Sequence, residues 1–294
     1  MKKYVEYIIT TEFGKFICRF TPLFDRNTNE PVSYIINLGS KEKFCIQLSI
    51  PSKESKSTEG HLLWVEANED CSLEKFIKSS ISKHMVLLGL TLSRNINPNI
   101  TKILLEDTSS FNCKLPNNTK IQVPMKAFHI AFHNATWYEY YFGAKLQHDH
   151  EKYKKLKENI YKSENKPKTF NFINEELQEE LEPLYKTSRN WHEFFQAISK
   201  QYGDKKCGMV YPWITSAMSD IAGYYIHDTR WYMDLTSHEV QNKTPMIQYK
   251  LNNIVPKIQG GGIKRKNRRF TFSRTHMFPN IPEIQSWNYR KFIL

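Results

Sequence analysis

The feature that most constrains the fold is a change of hydrophobic period near residue 68. Before it, residues 4–10, 15–20, 32–38, 44–50 and 61–67 are β-branched and aromatic runs of strand length, separated by turn residues such as Glu12-Phe13-Gly14. Connections this short predict an antiparallel meander. After it, Leu73, Phe76, Ile77, Ile81, Met85, Leu88 and Leu92 recur every three or four residues, as an amphipathic helix requires. Strands gathered first and helices after them define an α+β chain. Residues 95–99, with Pro98, end that helix. The run 101–106, TKILLE, reads as a strand in the centre of the sheet. A second helix is predicted from Pro124 to about Phe142, with Gly143 as its C-terminal cap. Residues 148–208 are helical and highly charged, 209–225 form a more apolar, buried helix, and periodicity fades after about 241. The expected division is a domain over 1–147, a helical extension over 148–256 and a basic tail over 257–294.

Charge is concentrated where periodicity is lost. The chain of 294 residues carries a net +12, and the last 38 hold nine basic residues against the single acid Glu283. Within six positions lie Lys264, Arg265, Lys266, Arg268 and Arg269, followed by Phe270 and Phe272. Such a cluster suits phosphate neutralisation, and the rings suit stacking on unpaired bases. The same residues also fit a nuclear-import address, a solvated tail, or, for the alternating FTF, a strand packed on the domain. The expected partner is nucleic acid or an acidic protein, without membrane contact. Cys18, Cys45, Cys71, Cys113 and Cys207 are odd in number, widely spaced and form no CxxC pair, which argues against a disulfide framework and for a reducing setting. No secretory signal or run of about 18 apolar residues is present, so a soluble, non-secreted protein of the cytoplasm or nucleus is expected.

The order of meander ending in HLLWVEAN, helix, strand TKILLED and helix ending in TWYEYYFGAKL resembles the core of GNAT-type N-acetyltransferases, over residues 1–147. In that family a fourth strand feeds a phosphate-cradling loop and helix, a fifth strand splays away, and a later helix ends in a segment that Tyr138 to Gly143 approximates. The aromatic segment, with NWHEFF and CGMVYPW, also resembles proteins of giant, mimivirus-like DNA viruses of amoebae, a family with no activity to transfer. That resemblance implies a viral accessory or virion-associated protein, located in the viral factory or the virion interior.

The acetyltransferase resemblance implies acetyl-CoA at a glycine-rich loop, where small residues let backbone N–H groups approach the pyrophosphate. The corresponding residues 75–82 are KFIKSSIS, with no glycine. Lys78, Ser79, Ser80 and Ser82 are the cation and hydroxyls left for a phosphate. It also implies a general base among Glu66, Glu106 and Asp107 at strand ends, and Tyr138 near the leaving thiolate. The expectation is therefore a degenerate, noncatalytic domain without a cofactor. The alternative is an acetyl-CoA-dependent N-acetyltransferase with an atypical loop. His129 and His133 share a helix face, with His148-Asp149-His150 downstream, but lack the grammar of a metal site, and none is assigned. Cys113 or Cys207 with His227 or His238 form at most a chance nucleophile pairing.

Overall fold

A computed structural model of the chain describes residues 4–253, apart from 26, 29, 67–68, 74–80, 116–118, 174 and 224–229. Among the described residues the fold is α+β around a nine-stranded, mostly antiparallel sheet, with a separate two-stranded one. The meander comprises β1 (Val5–Thr11), β2 (Gly14–Phe24), β3 (Pro31–Gly39), β4 (Phe44–Pro51) and β5 (Glu59–Val65). Alternation decides which face is covered. In β4, Ile46, Leu48 and Ile50 are buried, while Gln47 and Ser49 are only half-buried.

Helix α1 (Ile81–Ile96) packs on the buried face of the meander. It approaches so closely that a Cβ at Gly89 would stand 2.8 Å from Leu48 Cδ1, so glycine is what sets the helix–sheet distance. Its buried hydroxyls satisfy themselves within the helix: Thr91 Oγ1 donates to the Leu87 carbonyl (2.9 Å) and Ser93 Oγ to that of Gly89 (2.7 Å). The helix expected from Leu73 starts, among the described residues, at Ile81 and continues to Ile96, four residues past Leu92. Buried Asn97 then stops the chain, its side chain donating to the carbonyls of Pro51 and Ser52.

Strand β6 (Lys102–Glu106) returns parallel to β5, the sheet's one parallel pairing among the described strands. The chain then forms the hairpin β7 (Ser110–Lys114) and β8 (Lys120–Pro124), which the sequence reading missed. The single helix expected to about Phe142 is two: α2 (Met125–His133) and α3 (Trp137–Phe142). Asn134 takes the left-handed conformation that ends α2, and Thr136 opens α3 with a capping box to Glu139. Gly143, at φ 67°, caps α3 as expected.

After the short strand β9 (Lys145–Leu146) come α4 (His150–Asn159), α5 (Glu175–Thr187) and α6 (Trp191–Tyr202). The apolar stretch after them divides into α7 (Lys206–Val210) and α8 (Ile214–Ala222). These helices bury an aromatic core of Phe172, Tyr185, Trp191, Phe194, Phe195 and Trp213, whose polar ends are paired. Tyr185 Oη donates to the Pro167 carbonyl, and the Trp191 and Trp213 ring nitrogens to those of Asn165 and Met209.

The segment expected as a helical extension also supplies strands. β10 (Arg230–Asp234) inserts between β6 and β9, and, after α9 (His238–Lys243), β11 (Tyr249–Asn253) pairs with β1. Arg94 of α1 steers that return by donating to Thr244 Oγ1 (2.8 Å) and its carbonyl (3.0 Å). Among the described residues, no helix is long and apolar enough to cross a membrane.

The cysteine expectation is overturned. Cys45 of β4 is bonded to Cys71, and Cys113 of β7 to Cys207 of α7, leaving Cys18 as a buried free thiol that burial pushes up in pKa. Spacing alone could not reveal these pairs. Cα atoms 5.6 and 6.0 Å apart are brought together by the sheet and by helix packing, across 26 and 94 positions.

Candidate functional site

The candidate strand-end carboxylates lie at the C-terminal ends of the parallel pair β5 and β6. β5 and β6 are in register from Glu59 with Lys102 to Leu62 with Leu105, and no farther. On the other side, β4 stays with β5 to Val65, but the register slips: Leu48 faces Leu62, whereas Gln47 faces Trp64. Leu63 is therefore an unpaired bulge residue opposite β4. Leu63 and Trp64 are 48% and 40% exposed.

Charged groups lie at the ends of both strands. Glu66, just past β5, is ion-paired with Lys43 and donates its backbone N–H to the Cys45 carbonyl. Glu106, at the end of β6, is exposed and lies in register with Arg230. Asp107 is buried at 2% exposure, accepts from Ser109, and has its second oxygen buried without a partner among the described residues. Burial raises its carboxyl pKa despite the Ser109 bonds. Tyr138, 5% exposed, packs edge-on against Trp137, and burial with the nearby Asp107 charge drives its phenol far above the ordinary range. Tyr138 and Asp107 are thus brought together, whereas Glu66 is bound to Lys43. Ser82 lies in the first turn of α1, half-buried. Lys78, Ser79 and Ser80 fall outside the described residues, as do His227 and the tail residues Lys264, Arg265, Lys266, Arg268, Arg269, Phe270 and Phe272.

The nucleophile pairing fails outright, because Cys113 and Cys207 are bonded to each other and neither presents a thiolate. No family model, curated protein or solved structure matches the chain.

A second cluster lies on α2 and α3. The His129 and His133 rings are 4.6 Å apart, His133 is 5.4 Å from Tyr140, and Tyr140 is 4.9 Å from Tyr141. Lys83 Nζ sits 4.8 Å from the Tyr141 ring centre, and Lys206 Nζ 5.0 Å from that of Phe132. Burial, then His133, then Lys206 lower the pKa of His129 to about 4. Among the described residues no group of three or more His, Cys, Asp or Glu is arranged to hold a metal. His148 and His150 are exposed around Asp149, which pairs with Lys152. The sequence signal for this cluster was the spacing of the two histidines beside the run WYEYYF. Lys83 and Lys206 had no such signal, since only the fold brings them there.

Proposed function

We propose that the chain is a noncatalytic accessory protein of a giant DNA virus, with a degenerate acetyltransferase-like core and a basic C-terminal segment that contacts nucleic acid or another polyanion. The observation that carries the noncatalytic reading is the condition of the groups that transfer would need. Tyr138 is enclosed and its phenol held protonated, and Glu66 is ion-paired with Lys43, while Glu106 stays exposed at the end of β6. A general acid must reach the reacting atoms, and a general base must be free to take a proton. With no glycine in residues 75–82 to admit a pyrophosphate, the residues present do not fit acetyl-CoA. Binding to a polyanion is supported by the sequence, through five cations within six positions. The two disulfides favour the virion over the reducing cytoplasm as its setting.

One observation favours the runner-up, an acetyl-CoA-dependent N-acetyltransferase with an atypical loop. Helix α1 after β5, and the end of the β5–β6 pairing at Leu62 and Leu105, are compatible with the strand, helix and splayed strand that the acetyltransferase resemblance implies. Calorimetric titration with acetyl-CoA separates the two readings. The noncatalytic reading expects no binding heat. Micromolar binding that is lost on Lys78→Ala overturns it.

A further inference from the structure

The aromatic cluster on α2 and α3 is distinct from the strand-end carboxylates of β5 and β6. Its rings follow one another at 4.6, 5.4 and 4.9 Å from His129 through His133 and Tyr140 to Tyr141. They are not simply core. Tyr140 is 48% exposed, His133 is exposed and Tyr141 is half-buried, so the outer part of the series faces solvent. Lys83 stands at the Tyr141 end, and Lys206, on α7, is close enough to both imidazoles to disfavour their protonation. The acid on this stretch of chain, Glu139, is engaged elsewhere by Tyr153 Oη and by Lys157 Nζ at 2.6 Å. What remains is a shelf of π-faces between two cations.

We propose that His133, Tyr140 and Tyr141, between Lys83 and Lys206, form a stacking site for the unpaired bases of single-stranded nucleic acid. Charge selects this occupant. The chain's own basic tail would bring cations to a cationic surface, and an acidic peptide would supply charge without a ring at every residue. A single strand supplies both, planar bases for the rings and phosphates for the lysines. Duplex cannot use the shelf, because its bases are already stacked and paired. The site rests on the polyanion reading above and specifies it: the tail provides sequence-independent attraction and the shelf discriminates single strands from duplex.

The test uses the full chain and a labelled oligothymidylate, with its duplex as competitor. The double variant Tyr140→Ala/His133→Ala should bind the single strand roughly tenfold more weakly or worse, with the salt dependence unchanged, because uncharged rings release no counterions. Tyr140→Phe keeps the ring and should bind like the parent. Lys83→Gln/Lys206→Gln should instead reduce the salt slope. Both ring positions lie at the surface, so melting temperatures of the variants check that the fold is intact. A double variant that is folded and binds as tightly as the parent overturns the shelf but leaves the tail reading standing. Equal parent affinity for duplex and single strand does the same. A parent that binds neither sinks both.

Discussion

An imidazole becomes harder to charge as it is drawn away from water, and His129 is held between Tyr141, Tyr140 and a second imidazole. Its pKa falls to about 4 from the ordinary 6.5. Between these values the unfolded chain binds the proton and the folded chain does not, so stability must decline as pH drops through that window, and must be level above it. The full effect is about 3 kcal/mol, from roughly 1.4 kcal/mol for each pH unit. His129→Phe should therefore flatten the dependence of urea unfolding on pH between 6.5 and 4 while changing little at neutral pH. An unaltered slope would mean that His129 is not desolvated. Asp107 acts in the opposite sense: burial raises its folded pKa, so its contribution is lost as pH rises through the carboxylate range. The exposed histidines His148 and His150 and the burial of Tyr138 illustrate the limit of reading residues from sequence. Composition identifies which side chains carry chemistry, but only packing decides which of them are accessible.

Elements were most legible where local pattern and global role agree. Alternation defined the meander, and three-to-four periodicity defined α1 and the helices to Tyr202, although residues 85–93 of α1 are buried on every side. The division between α2 and α3 was written in the chain and missed: Asn134 is able to adopt φ 53°, and Thr136 with Glu139 forms a capping box. Apolar content on both sides concealed it. The hairpin of β7 and β8 escaped because SFNCK and KIQVP are short and only partly apolar. Glu139 does more than cap α3, since Tyr153 Oη and Lys157 also donate to it and so fasten α4 to that helix. Thr136→Ala should cost about 1 kcal/mol, while Thr136→Ser, which keeps the acceptor oxygen, should cost less. Chemical denaturation of the two variants checks this, and equal losses would show that the methyl group rather than the cap is what matters.

At the scale of the molecule, what the sequence could not disclose is what joins distant segments. β10 enters the sheet beside β6 after a long helical excursion, β11 adds an edge strand beside β1, and the disulfides tie β4 to the segment after β5 and the hairpin to α7. No local pattern encodes such pairings, because they depend on topology rather than on neighbours. The candidate site divides in the same way. Strand-end carboxylates were legible, but the bulge at Leu63 and the shelf bounded by Lys83 and Lys206 were not. The central claim is that the chain works by contacting a polyanion through charge. The direct measurement is affinity for single-stranded nucleic acid as a function of salt, for the parent and for a variant with Lys264, Arg265, Lys266, Arg268 and Arg269 replaced by glutamine. The roughly four or five phosphate contacts of the tail should contribute about −3 to the parent's slope in log affinity against log salt, a contribution lost in the variant. A parent without salt dependence, or a variant that keeps the parent's slope, would contradict the account.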